Sequence, residues 1–349
     1  MNFSLGALLT SQFMKKICIV LASLWLWSCG TNLPEIKPDV ITASTLHDTD
    51  DPAIWVNQKN TKESIVFGTD KDTDGAIYAF NLEGKIIEEK TLRGMKRPNN
   101  VDVAYGVKLN DSVTTDILMF TEREREQIRL FSIPDMKPLD QGGFKVFQEK
   151  RENEWNLPMG ISIYKSPKTN TTYAIVGRKN GPKTNYLHQF ELVPTGDHIT
   201  FKLVREFGNF SGEKEIEAIA VDNELGYIYY ADEKVCIRKY NAEPNAGNEE
   251  LACFGAEQFN RDIEGIAIAN NKEGQGYIIV SDQQEGTFNF FDRKTNEFLF
   301  AKNLGTTETD GCEVYTGYLS EKFPNGLFVA MNDNKNFYFY DLSKITGTR

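Results

Sequence analysis

Apolar residues recur along the chain in short runs that alternate with polar positions at a period of two, and no long stretch repeats at the helical period. One pattern occurs six times. A short apolar segment opens on or beside a polar or acidic residue: DPAIWV at Asp51, NVDVAY at Asn100, MGISIY at Met159, EAIAVD at Glu217, EGIAIA at Glu264 and CEVYTGY at Cys312. The openings are spaced by 49, 59, 58, 47 and 48 residues. Each is followed by a second apolar strand ending in a charged or amide pair, and then by a third strand with alternating aromatics, as in AIYAFNL or FYFYDL. Turn-forming segments such as NLEGK separate them. Repeats of about 50 residues with three or four strands each predict an all-β, six-bladed β-propeller. In that architecture the first strand of every blade lines the central axis, so the six openings converge on one face.

Convergence turns scattered polar residues into a constellation. Asp51, Asn100, Glu217 and Glu264 become part of a ring, joined by Asp262 of RDIEG and by Asp310 and Glu313 of ETDGCE. One acid at a strand start is ordinary loop solvation; acids at the same phase of several repeats point to a metal site. Oxygen donors in this number suit a hard cation, Ca²⁺ above all, in several copies. The pairs that end the second strands are asymmetric around the ring. Blades one to three offer Lys71, Arg123, Arg178 and Lys179, whereas blades four to six offer Asp232, Glu233, Asp282 and Asp333. One half of the face is expected to bind anions and the other cations. A phosphorylated small molecule bridges both, with Arg as a fork for its oxygens and Lys as a point charge.

Charge and the N-terminus refine this picture. Met14, Lys15 and Lys16 precede the apolar run ICIVLASLWLW, which ends in Ser28-Cys29-Gly30. This predicts a lipoprotein-type signal over 1–29 with its true start at Met14, Cys29 as the lipidated first mature residue, a short tether over 30–40 and the propeller over 41–349. The protein is expected to be exported and lipid-anchored at the cell envelope, periplasmic or on the cell surface, with secretion as the alternative. Without residues 1–29 the chain keeps 37 basic against 50 acidic side chains, a net charge near −13. Nucleic acid is therefore not an expected partner; membrane contact is expected only through the lipid, and the protein is expected to be a monomer. Beyond Cys29 only Cys236, Cys253 and Cys312 remain, so at most one disulfide forms. Cys236 with Cys253 is one arrangement and isolated buried thiols are the alternative. The only histidines are His47, His188 and His198, and there is no P-loop, RHG or G-x-S-x-G. The usual covalent routes thus lack a candidate nucleophile, and metal-activated water does not need one.

The segments DTDDPAIW, GAIYAFNLEGK after Lys71, RPNNVDV, EIEAIAVDNELGYIYYADE with YNAEP, DIEGIAI, TETDG and NGLFVA resemble the β-propeller phytases, calcium-dependent alkaline enzymes with six blades. The resemblance spans roughly residues 40 to 345, with motifs in the same order and at similar spacing. It implies hydrolysis of phytate, myo-inositol hexakisphosphate, as its calcium complex, by water attacking phosphorus in line. Carried over position by position, Asp51, Asn100, Glu217, Asp262, Glu264 and Asp310 hold calcium. Lys71, Arg123 and Lys179 grip phosphate, while Asp50 and Glu233 orient water or assist proton transfer. Two positions depart from the family pattern: Met159 stands where a phosphate-contacting Tyr is usual, and Asn180 replaces an acid after Lys179, with Arg178 as a compensating cation. A non-catalytic calcium-dependent binding propeller is the alternative; a lactonase-like hydrolase would not need the Lys/Arg half-ring. His47 is expected to be a solvated strand-edge residue, and Trp55 part of the blade core.

Overall fold

The repeats fold as six four-stranded antiparallel sheets. The structure, a computed structural model, describes residues 33–148, 154–271 and 274–347. The signal segment and Cys29 therefore lie outside the described residues. Among the described residues no helix is long and apolar enough to cross a membrane.

The innermost strands are Thr49–Trp55, Pro98–Lys108, Pro158–Lys165, Ile219–Asp222, Ile263–Asn270 and Cys312–Tyr315. In blades one to five the chain runs outward through the next three strands in order. Blade six takes its outer strand from the other end of the chain. Val40–Ile41 pairs with Asn336–Asp341, Val40 opposite Phe339 and Ile41 opposite Tyr338, which ties the N-terminal segment to the last blade and closes the ring.

The period-two pattern has a packing cause. Every blade is sandwiched between two others, so successive residues of a strand bury into different interfaces. Phe67 and Ile77 pack against Leu118 and Phe120 of blade two, whereas Val66 and Tyr78 pack against Leu327 and Val329 of blade six. Six such interblade cores follow one another around the ring. Trp55 belongs to one of them, as expected, with its indole N–H donating to Asp116 at 2.9 Å. In blade four a disulfide joins Cys236 to Cys253 across the third and outer strands, while Cys312 is a buried free thiol.

At the mouth, the innermost strands of blades one, two, three and five all slip register, between Thr49 and Pro52, Pro98 and Val101, Pro158 and Ile161, and Ile263 and Ile266. Such bulges leave residues outside the ladder and re-aim their side chains. The residues inside these slips are Asp50-Asp51, Asn99-Asn100, Met159-Gly160 and Glu264-Gly265, the very positions that carry the candidate chemistry. Glycine is needed beside them because the strands crowd there. A Cβ on Gly160 would lie 2.0 Å from the Glu217 carbonyl oxygen, and one on Gly311 would lie 2.5 Å from an Asp51 carboxylate oxygen.

Candidate active site

The charged pairs that end the second strands divide their labour, because adjacent residues of a strand project to opposite sides. The first of each pair clamps the loop entering the blade. Asp70 accepts from the backbone N–H of His47 and Asp48 at 2.9 and 2.8 Å, Glu122 from that of Lys96 at 2.7 Å, and Asp232 from that of Ser211 at 2.9 Å. Asp282 accepts from Asn260 and Arg261 at 2.8 and 2.9 Å, and Asn332 from Thr307 at 3.0 Å. His47 adds its ring nitrogen to Asp70 at 2.9 Å and so belongs to this clamp.

The second of each pair faces the mouth. Lys71 lies 3.0 Å from Asp50 and 3.0 Å from Asp310, and Gln283 donates to the other oxygen of Asp310. Arg123 donates to Asn99 and lies 3.9 Å from Glu217, to which Asn99 also donates. Lys179 pairs with Glu215 at 2.6 Å, and Glu233 with Lys214 at 2.6 Å. Asp333 is exposed at the rim.

This division corrects one expectation. Arg178 occupies a clamp position, not a mouth position, and it is 1% exposed. Its Nε donates to the Tyr186 carbonyl at 3.1 Å, its Nη2 meets His188 at 2.8 Å, and its guanidinium lies 4.0 Å from the Phe147 ring centroid. It packs a blade interior and does not stand beside Lys179. Asp232 and Asp282 leave the expected acidic half-ring for the same reason. The two family departures are also placed: Met159 is buried with its sulfur against Arg123, and Asn180 turns back to accept from the Gly181 N–H at 2.8 Å.

The expected metal-binding residues separate into two levels. Glu217, Asp262, Glu264 and Asp310 meet the mouth cations, as does Asp50, which was expected to orient water, and Asn100 adjoins them through Asn99, which donates to it at 3.0 Å. Asp51 and Glu313 instead line an axial cavity of about 220 Å³, together with Asp102 and the innermost strands. There Asp51 accepts from the Val101 N–H at 3.0 Å. Burial pushes Glu313 up to about 8 and Asp102 to about 6.

Five mouth residues were missed from the sequence, Lys234 at 3.6 Å from Asp262 among them. Glu215 and Lys214 sit in the irregular loop before the innermost strand of blade four, Asn99 adjoins the chosen Asn100, and Gln283 follows Asp282. The alternation Glu213-Lys214-Glu215-Ile216-Glu217 was the available signal for the first two.

The resulting electrostatics are unbalanced. The carboxylates of Asp50, Glu215, Glu217, Glu233, Asp262, Glu264 and Asp310 outnumber the cations Lys71, Arg123, Lys179, Lys214 and Lys234. Burial holds the Asp50 carboxyl well above the usual range in spite of Lys71, and Glu217 and Asp310 add to the rise. Burial, then Glu233 and Glu217, does the same to Glu264. Glu233 is pushed up to about 7 by burial, with Lys214 opposing. At Glu217 burial is outweighed by Lys71 and Arg123, so this carboxyl sits below its usual value. Burial would lower Lys71, yet Asp50, Glu217 and Asp310 outweigh it and keep the ammonium charged.

These features fit a bound cation. Oxygens of Glu215, Glu217 and Glu233 lie within 4.8 Å of one another, and so do oxygens of Glu233, Asp262 and Glu264. Glu233 is common to both groups. Asp50 Oδ1 and Glu264 Oε2 are buried and receive no hydrogen bond, a costly state that a cation relieves. An all-oxygen donor set favours a hard ion such as calcium.

Residues 31–338 match the family described as Phytase. The chain is 31% identical over 299 residues to the 3-phytase of Bacillus subtilis (strain 168), covering 81% of this chain and 74% of that protein. Its fold is similar to the crystal structure of the WD40 beta propeller domain of Doa1, with a TM-score of 0.50 and 12% identity over 84% of this chain and 80% of the other. That second likeness speaks to the fold alone. With a six-bladed propeller, a mouth of paired carboxylates and cations, and a family match over most of its length, the chain belongs to the phytase family.

Proposed function

We propose that this protein is a calcium-dependent phytase that removes phosphate from myo-inositol hexakisphosphate. One observation supports this above the others: two carboxylate groups sharing Glu233 adjoin Lys71, Arg123 and Lys179 in one mouth. Glu215, Glu217, Glu233, Asp262 and Glu264 would hold calcium, with Asp50, Asp310 and Asn100 beside them. Asp51 would join from the top of the axial cavity, and Glu313 from within it. When bound, calcium supplies counter-charge for phosphate oxygens and lowers the pKa of water.

The chain's own residues do the rest. Lys71, Arg123 and Lys179 are each tied to a carboxylate in this structure and turn to phosphate oxygens once those carboxylates have another counter-charge. Asp50, buried with one oxygen lacking a donor, orients the attacking water. Its position beside Lys71 keeps the water near a gripped phosphate. Glu233, a carboxylate common to both groups, helps orient water at the mouth, and the proton that the attacking water loses passes to the departing inositol oxygen. A water oxygen bonds to phosphorus as the bond to the inositol oxygen breaks, so no protein nucleophile is consumed.

The protein acts after export, as a monomer tethered through Cys29 or released. Phosphate release from phytate by purified protein, with calcium and with EDTA, tests the proposal. Calcium-dependent release supports it. Calcium-dependent phytate binding without turnover would instead select a binding propeller, and neither effect would end both readings.

A further inference from the structure

Lys214 stands where a metal ion would stand. Its Nζ donates to Asp262 at 2.8 Å and lies 2.6 Å from Glu233 and 3.4 Å from Glu264. It thus touches every member of one three-carboxylate group. Among the described residues no cation touches all three members of the other group: Lys179 contacts Glu215, Asn99 donates to Glu217, Arg123 lies 3.9 Å from Glu217, and Lys214 reaches only the shared Glu233.

An ammonium and a divalent cation cannot share one set of oxygens, because like charges a few ångströms apart repel strongly in a partly buried site. The ammonium can leave. The Lys214 side chain is 36% exposed and sits on a flexible four-carbon stem. The carboxylates, by contrast, are anchored on or beside strands and 1%, 12% and 3% exposed. Burial alone would lower the Lys214 pKa, but its contacts with Asp262 and Glu233 outweigh burial and keep it charged.

We propose that Lys214 is a tethered counter-cation that fills the Glu233–Asp262–Glu264 site in the metal-free protein and must be expelled for calcium to bind there. The inference rests on the calcium reading of the mouth. Its consequence is a ranked pair of sites. The Glu215–Glu217–Glu233 group loads first, and the Lys214-plugged group loads only at higher calcium, so Lys214 sets the calcium concentration at which the mouth is complete. The plug also supplies charge balance before metal arrives, sparing three neighbouring carboxylates from facing one another alone.

The test is calcium titration calorimetry of chelator-stripped full-length protein without substrate, comparing wild type with K214M, K214Q and K214R. The weaker class of calcium sites should tighten at least about tenfold in K214M and K214Q and stay near wild type in K214R. In EDTA the neutral variants should melt earlier than wild type, and calcium should raise their melting temperature by more. K214Q keeps a hydrogen-bond donor, so it reports on charge alone if K214M folds poorly. Calcium affinity in K214Q equal to or weaker than wild type overturns the role of Lys214 and leaves the metal site standing. Absence of calcium binding in every protein, wild type included, overturns both.

Discussion

Replacing Lys71 by Met isolates the buried charge balance on which the mouth depends. The Lys71 side chain is 13% exposed and its ammonium bridges Asp50 and Asp310, each 3.0 Å away, whose side chains are 1% and 13% exposed. Met keeps most of the side-chain volume and removes the charge. Breaking a buried pair by deleting one partner costs about 3–5 kcal/mol, because the charge left behind is uncompensated. Here two carboxylates are left, but burial already holds both above their usual values and either can take up a proton, which places the expected loss near the lower end, about 3 kcal/mol in EDTA at pH 8. At pH 5 the loss should shrink, since both carboxyls are already held above their usual values and take up protons readily. Urea denaturation of wild type and K71M at both pH values measures this directly. A loss under about 1 kcal/mol at pH 8, or one that grows on acidification, would refute the buried-charge argument.

Other outcomes follow from the same geometry. R178A should destabilise the fold by about 3 kcal/mol with little change in the KM for phytate, because Arg178 packs an interior; K179A should raise KM several-fold with stability nearly unchanged, as paired steady-state kinetics and thermal melts would show. Stability of the metal-free protein should fall as pH rises from 5 to 8. Glu233 and Glu313 have folded values of about 7 and about 8, above the usual carboxyl value of 4.5, so the folded state holds more protons across this window and loses that advantage as they ionise; a melting temperature in EDTA that rises with pH would contradict this. D51A should weaken calcium-dependent phosphate release by more than tenfold, whereas D48A, at an exposed loop position, should leave it within about twofold; equal effects would undo the assignment.

Much of this molecule was legible in its sequence because the physics that builds it is periodic. Second and third strands are largely buried on both faces, and the innermost strands are buried except where they line the axial cavity, so their apolar runs and turns stand out. The outer strands are not so marked: Leu92–Met95 is half exposed, and Phe144–Lys145 has only two residues. Closure by Val40–Ile41 could not be read, since two residues carry no pattern and their partners lie some three hundred positions away. At the site, phase singled out Glu264, which lies in a bulge that recurs at the same point of several blades; Asp310 was added to the ring as its neighbour, and Asp50 came only with the family resemblance. The same reasoning misplaced Arg178, because a charged pair at a strand end looks alike whichever member faces the mouth. Lys214 and Glu215 escaped because an irregular loop, not a strand, carries them to the mouth. By register Asp51 stands one position, and Glu313 three, past the level shared by Asp50, Glu264 and Asp310, so they line the axial cavity, an offset that the repeat alignment in the sequence did not resolve.

Glu233 is common to two carboxylate groups in the mouth, and anomalous diffraction from a calcium-loaded crystal shows whether it joins two cation sites. Calcium peaks are expected on both sides of Glu233, one shared with Glu215 and Glu217 and one with Asp262 and Glu264, the latter accompanied by outward movement of Lys214. Calcium bound elsewhere, with Lys214 still seated among Glu233, Asp262 and Glu264 at saturating metal, would contradict this expectation.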